Sequence, residues 1–146
     1  MPKELQLTAG AYLAGANLHG KNLRLLALTR TCLRYANLSC ADLSHSTLSQ
    51  ASLFGATLER ANVSRATLWG TDLRGAILRE AILVGSTLDG ARLEGADLTG
   101  AVLGWEEIDG GRRVVHVVQA RGATYSDRTR FPATFSPVAA GMLRVS

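Results

Sequence analysis

Three histidines, two cysteines and a set of arginines are the residues of this 146-residue chain whose types could do chemistry. His19, His45 and His116 could ligate a metal or move protons, and Cys32 and Cys40 could serve as thiolates, metal ligands or a disulfide. Each of these chemistries needs convergence, because a metal gathers several ligands at one point and a triad holds nucleophile and base within hydrogen-bond reach. No such spacing joins these five residues, and two cysteines are too few for a disulfide framework in a chain this long. The prediction is no catalytic residue, no metal, no cofactor and no small-molecule substrate. Arg112, Arg113, Arg121, Arg128 and Arg130 stand among Tyr125 and Phe131, a mixture that could contact phosphates while rings stack on bases. A net charge of +4 is modest for a nucleic-acid binder, so a solvated basic cap with buried rings is the favoured reading.

The frame that must position these residues is a repeat. From Leu13 to Ile108 every fifth residue is Leu, Val or Ile, twenty positions in succession of which eighteen are Leu. Two residues earlier stands a small residue in most repeats, as in Ala36, Ala56, Ala76 and Ala96, and Asn, Asp, Ser or Thr often lies between. A period of five suits neither a helix nor a long strand, although each repeat contains the alternation of a short extended segment. The chain must turn after every triplet, and glycines two residues after the Leu, such as Gly15, Gly55, Gly75 and Gly95, supply turns. Leu and the small residue face inward and the other three face out. With 47% hydrophobic but only 5% aromatic residues, the core must be built from small aliphatic side chains. Its expected members include Leu13, Leu18, Leu33, Leu38, Leu53, Leu58, Leu73, Leu78, Leu93 and Leu98. A coil filled with stacked leucines offers no cavity for catalysis, and it sends His19, His45, Cys32 and Cys40 to different sides.

The phrases Ala36-Asn37-Leu38, Ala41-Asp42-Leu43 and Ala96-Asp97-Leu98, each followed by two variable residues, resemble the pentapeptide-repeat family. That resemblance implies an all-β fold, a right-handed quadrilateral parallel β-helix of about five coils with four repeats per coil. A barrel so filled, with convex and regular faces, is expected to be a non-enzymatic structural or protein-interaction module. Residues 20 apart should then stack, and the charges agree: Glu59 with Arg79, Arg60 with Glu80, Asp72 with Arg92, and Arg74 with Glu94 are all opposite in sign. The family includes acidic barrels that imitate duplex DNA and protect DNA gyrase from quinolones. Residues 11–108 carry nine basic and nine acidic residues, so this barrel lacks the carboxylate surplus such mimicry requires. A gyrase-binding DNA mimic is therefore the disfavoured alternative, and nucleic acid is disfavoured as a partner.

What remains is recognition through a face, by an unidentified protein partner or by self-association. Ile77, Ile82, Val84 and Val102 project outward, with Ile82 and Val102 in one column and Ile77 one side away. They form a candidate interaction patch or a docking place for the tail, including Trp105. A second column, Arg34, Phe54 and Arg74 with Tyr35 beside it, is suited to a cation–π ladder.

Three segments follow: a lead-in over 1–10, the repeats over 11–108, and a C-terminal capping segment over 109–146. The last carries six Arg and two Asp, which accounts for the net positive charge. Val114–Val118 favour a strand, and Ala123-Thr124-Tyr125 resumes a repeat in a shifted register with Tyr125 inward. The end, with Phe131-Pro132, Phe135 and Pro137, resembles the terminal segment of cyanobacterial members of the family. Its expected task is to cover the open edge of the last coil. No apolar run reaches the length of a signal peptide or a membrane span, so the expectation is a soluble cytoplasmic protein without membrane contact.

Overall fold

Each repeat contributes one short extended side and one turn, and the hydrogen bonds show how the sides add up. The structure is a computed structural model that describes residues 6–104, 121–131 and 135–146. The Leu13 N–H donates to the Cys32 carbonyl at 2.7 Å, and the Cys32 N–H donates to the Ala11 carbonyl at 2.9 Å. The same parallel pattern links Tyr12 with Cys32, Asn17 with Asn37, Asn22 with Asp42 and Ala27 with Thr47, and continues to Ile77 with Asp97, always 20 residues on. Four repeats therefore complete one circuit before the chain stacks on itself. Each column of backbone groups is satisfied by the circuits on either side, as buried peptide groups require.

The turns explain the five-residue period. The carbonyl of the inward Leu accepts from the N–H three residues on in most repeats, as in Ala16 to Leu13 at 3.1 Å and Ala56 to Leu53 at 3.0 Å. The third residue of this turn has φ near +60°, a conformation that glycine adopts freely. Where glycine is absent the same angle is imposed on Leu25, Arg30, Tyr35, Cys40, His45, Gln50, Arg60, Arg65 and Glu80. The polar residue before the Leu strengthens the turn. Carboxamide or carboxylate Oδ1 atoms of Asn17, Asn22, Asn37, Asp42, Asn62, Asp72 and Asp97 accept the backbone N–H two residues on, at 3.0–3.3 Å.

Inside, Leu13, Leu18, Leu33, Leu38, Leu53, Leu58, Leu73, Leu78, Leu93 and Leu98 are all buried, with Val63 and a column of alanines. Four alanine places hold hydroxyls instead, and each finds a carbonyl: Thr31 to Thr8, Ser46 to Leu43, Thr71 to Leu48 and Ser86 to Leu83. In the first coil Lys21 and Leu26 stand where the other repeats have the small inward residue, and they are exposed and half-buried respectively. No helix among the described residues is long and apolar enough to cross a membrane.

Two segments run on as regular strands, β1 (Ile82–Val84) and β2 (Val102–Gly104), paired in parallel. Beyond them the spacing changes. Asp97 pairs with Thr124, 27 residues on, and Val102 pairs with Arg130. The short strands β3 (Thr124–Tyr125) and β4 (Leu143–Arg144) then pair in parallel, Thr124 with Leu143. Ala123 is fully buried in the small inward place, and Tyr125 takes the place of the Leu. Tyr125 packs edge-on to Phe131 at 5.5 Å, and Phe131 stacks on Phe135 at 5.2 Å, above the end of the leucine column. The expected strand at Val114–Val118, and the roles given to Trp105, Ile108, Arg112, Arg113, His116 and Pro132, lie outside the described residues.

The charged pairs need a correction. Arg60 and Glu80 do meet across one coil spacing, at 2.8 Å. Asp72 instead pairs with Arg74 at 2.7 Å, and Arg92 with Glu94 at 3.2 Å, both within one repeat, while Arg79 reaches Asp97 at 2.5 Å. A side chain two residues away along a turn is as near as one in the next coil, so stacking register alone does not select the partner.

Candidate interaction faces

The apolar patch arises where the polar turn-forming residue is replaced. Its column reads Asn22, Asp42, Asn62, Ile82, Val102, Arg130. The first three close their turns through Oδ1, and Asn62 also donates from Nδ2 to Asp42 at 3.3 Å. Ile82 and Val102 have no oxygen to offer, and there the chain continues into β1 and β2. Branched side chains fit an extended, half-exposed surface. Ile82 is 43% exposed and Val84 39%, with Val102 half-buried above Ile82. Ile77, 37% exposed, stands in the neighbouring column between Thr57 and Asp97. The corner between the two columns carries Arg79 and Glu80, ion-paired to Asp97 and Arg60. The fold thus gathers Ile82, Val84 and Val102 on one side and sets Ile77 apart behind a charged ridge.

The second feature is a ladder along another corner. The Arg34 guanidinium carbon lies 4.9 Å from the centre of the Phe54 ring, and that of Arg74 lies 5.5 Å from the same ring. Tyr35 meets Phe54 edge-on at 5.6 Å and lies over Gly55, where a Cβ would come within 2.5 Å of the Tyr35 ring. Positive φ alone is tolerated by other residues at this place in the repeat, so it is the Tyr35 ring above it that singles out Gly55. Arg74 is further held by a two-point bond to Asp72, Nε to Oδ1 and Nη2 to Oδ2, each 2.7 Å. That bond holds the Asp72 carboxyl below its ordinary range, against the opposing effect of partial burial. Arg60 does the same for Glu80.

The remaining chemical candidates do not converge. Among the described residues no group of three or more His, Cys, Asp or Glu could hold a metal. Cys32 and Cys40 are free thiols, the first half-buried on a side and the second exposed on a turn. His19 and His45 occupy exposed turns in different coils. Beyond the repeats, Arg121, Arg128 and Arg130 are exposed, but Tyr125 and Phe131 pack on the core and on each other rather than offering their faces.

The family model for Pentapeptide repeats matches in eight copies, over residues 9–44, 31–70 and 70–104. The chain belongs to the pentapeptide-repeat family. Among solved structures it is similar to a pentapeptide repeat protein from the Arabidopsis thaliana thylakoid lumen, at 27% identity and TM-score 0.51, covering 87% of this chain and 73% of that one. It is also similar to Rfr23 from the cyanobacterium Cyanothece 51142, at 29% identity and TM-score 0.43, covering 84% and 89%. A Nostoc pentapeptide repeat protein matches at 27% identity and TM-score 0.39, covering 92% and 84%. No curated protein matches the chain.

Within this pentapeptide-repeat protein, sequence reasoning missed the most exposed apolar groups. Tyr12 is 81% exposed and Leu25 74%, both in the first coil, and Trp69, Val138 and Leu143 are exposed as well. Tyr12 occupies an outward place before an inward Leu, and Leu25 and Trp69 occupy turn places, so the five-residue phase was signal enough to find them.

Proposed function

We propose that this pentapeptide-repeat chain is a rigid, non-enzymatic protein-interaction module, built as a right-handed quadrilateral β-helix of about five coils with its C-terminal segment as a cap. The right hand follows from the strong preference of parallel strand crossovers. The observation that carries the reading is the exposed strip of Ile82, Val84 and Val102, which interrupts a column otherwise made of Asn, Asp and Arg. A side chain at those places gains nothing for the turn and leaves apolar area in water, which a covering partner would remove. Leucine filling and convex outer sides support a recognition role over catalysis. The partner is a protein or a second copy of the chain, in a cytoplasmic setting.

The test is an affinity capture from host lysate with the intact chain beside an Ile82→Thr/Val102→Thr variant of unchanged thermal stability. A stoichiometric protein captured by the first and lost by the second is the expected result. Capture that is indifferent to both substitutions, or capture of nothing with the chain monomeric in sedimentation, overturns it.

A further inference from the structure

The ladder corner contains one arginine whose partner the chain itself supplies and one whose partner it does not. Arg34 and Arg74 flank the same Phe54 ring in one column, two coils apart. Two residues before Arg74 stands Asp72, which takes its fork through two bonds of 2.7 Å. The place two residues before Arg34 is Cys32, in the same column as Asp72 through Ser52. Cys32 has no carboxylate, and among the described residues none pairs with Arg34. Its planar group is already oriented by Phe54 and by Tyr35, whose ring lies 5.9 Å from it.

We infer that Arg34 is the anchor of a second recognition point, which takes a carboxylate from an acidic segment of a partner protein in the position Asp72 holds on Arg74. The neighbourhood fits such a guest. Ser52 and Cys32 are half-buried and small beneath it, and Gly15 and Gly75 leave open space on the turns to either side. Tyr12 and Tyr35, 81% and 61% exposed, provide aromatic surface beside it. Residues 11–50 also carry Lys21, Arg24, Arg30 and Arg34 against the single acid Asp42, which favours approach of an acidic chain. A stacked arginine binds such a group with little further ordering, because its fork is already held. The inference rests on the interaction-module reading but uses a different face, probe and variant, so the Ile82/Val102 experiment and this one can fail separately.

The decisive variant is Cys32→Asp, which places a carboxylate where Asp72 stands for Arg74 and should occupy Arg34 from within. It should fold, because Asp at this place closes its own turn, as Asp72 does by accepting the Arg74 N–H. The probe is a fluorescein-labelled octaglutamate peptide, followed by anisotropy at low salt. The intact chain is expected to bind it, and Cys32→Asp and Arg34→Gln to weaken binding by about tenfold each. Arg30→Gln lowers net charge as much as either, but Arg30 already donates to Gln50, so its effect should stay within about twofold. Equal losses in all three variants would reduce the effect to bulk charge and overturn the inference. So would an intact chain that leaves the peptide free at about 1 mM, a concentration corresponding to very weak affinity.

Discussion

The repeated coils and the C-terminal segment that pairs onto the last of them bury their side chains by different means. In the coils each inward Leu meets the same neighbours every 20 residues, so one side-chain size serves throughout and the backbone pairs without adjustment. Past the last repeats no further leucine coil follows among the described residues, and a leucine there would leave its upper surface uncovered. There the spacing moves from 20 to 27, and the half-buried rings of Tyr125, Phe131 and Phe135, with the buried Met142, replace the leucine column. Larger side chains let a few residues close an area that the repeats close only by repetition. A solenoid is thus specified by its period along its length and by departures from that period at its end.

The comparison can be broken most severely in the interior. Leu53→Ala, at a fully buried place in the third coil, is expected to cost about 2–5 kcal/mol in urea unfolding. Phe131→Ala, at a half-buried place in the cap, should cost about 1–2 kcal/mol. Amide exchange should separate them further: the first change should loosen coils on both sides of Leu53, whereas the second should loosen only the pairing near Val102 and Arg130. Uniform loss of protection in both variants would mean that cap and coils unfold as one unit.

The turns offer a finer contrast within the coils. Gly55→Ala puts a Cβ at positive φ and 2.5 Å from the Tyr35 ring, and should cost about 1–3 kcal/mol while disturbing the Arg34 ladder. Leu25→Gly relieves a leucine held at φ +60° in open solvent. Relief of about 1 kcal/mol there is partly offset by the freer unfolded chain, leaving a gain of about 0.5 kcal/mol in thermal or urea unfolding.

Acid gives the smallest effect. The Asp72 and Glu80 carboxyls are held below their ordinary values in the folded chain by Arg74 and Arg60. Groups with depressed folded-state pKa stabilise above the unfolded value and lose that contribution as pH falls through the folded one. Urea midpoints should therefore be flat from neutral pH to about pH 5 and decline below about pH 4. Asp72→Asn should shrink the decline; an unchanged acid limb would assign it to other carboxylates.

Much of this molecule is written in one dimension. The spacing of Leu13 to Leu103 determines the turn after every triplet, the inward and outward places and the stacked core, because each depends only on neighbours within a few residues and on identical coils above and below. The family followed from the same residues, and so did the columns holding Ile82 over Val102 and Arg34, Phe54 and Arg74 together. Tertiary structure alone decided which charges pair, since both Asp72 and Glu94 lie near Arg74 and its fork bonds to Asp72. It alone decided that Arg79, on the corner between Ile77 and Ile82, turns to Asp97. The meeting of Tyr125, Phe131 and Phe135 was likewise beyond the sequence pattern: their spacing follows no period, and only packing at the end of the stack brings the rings together.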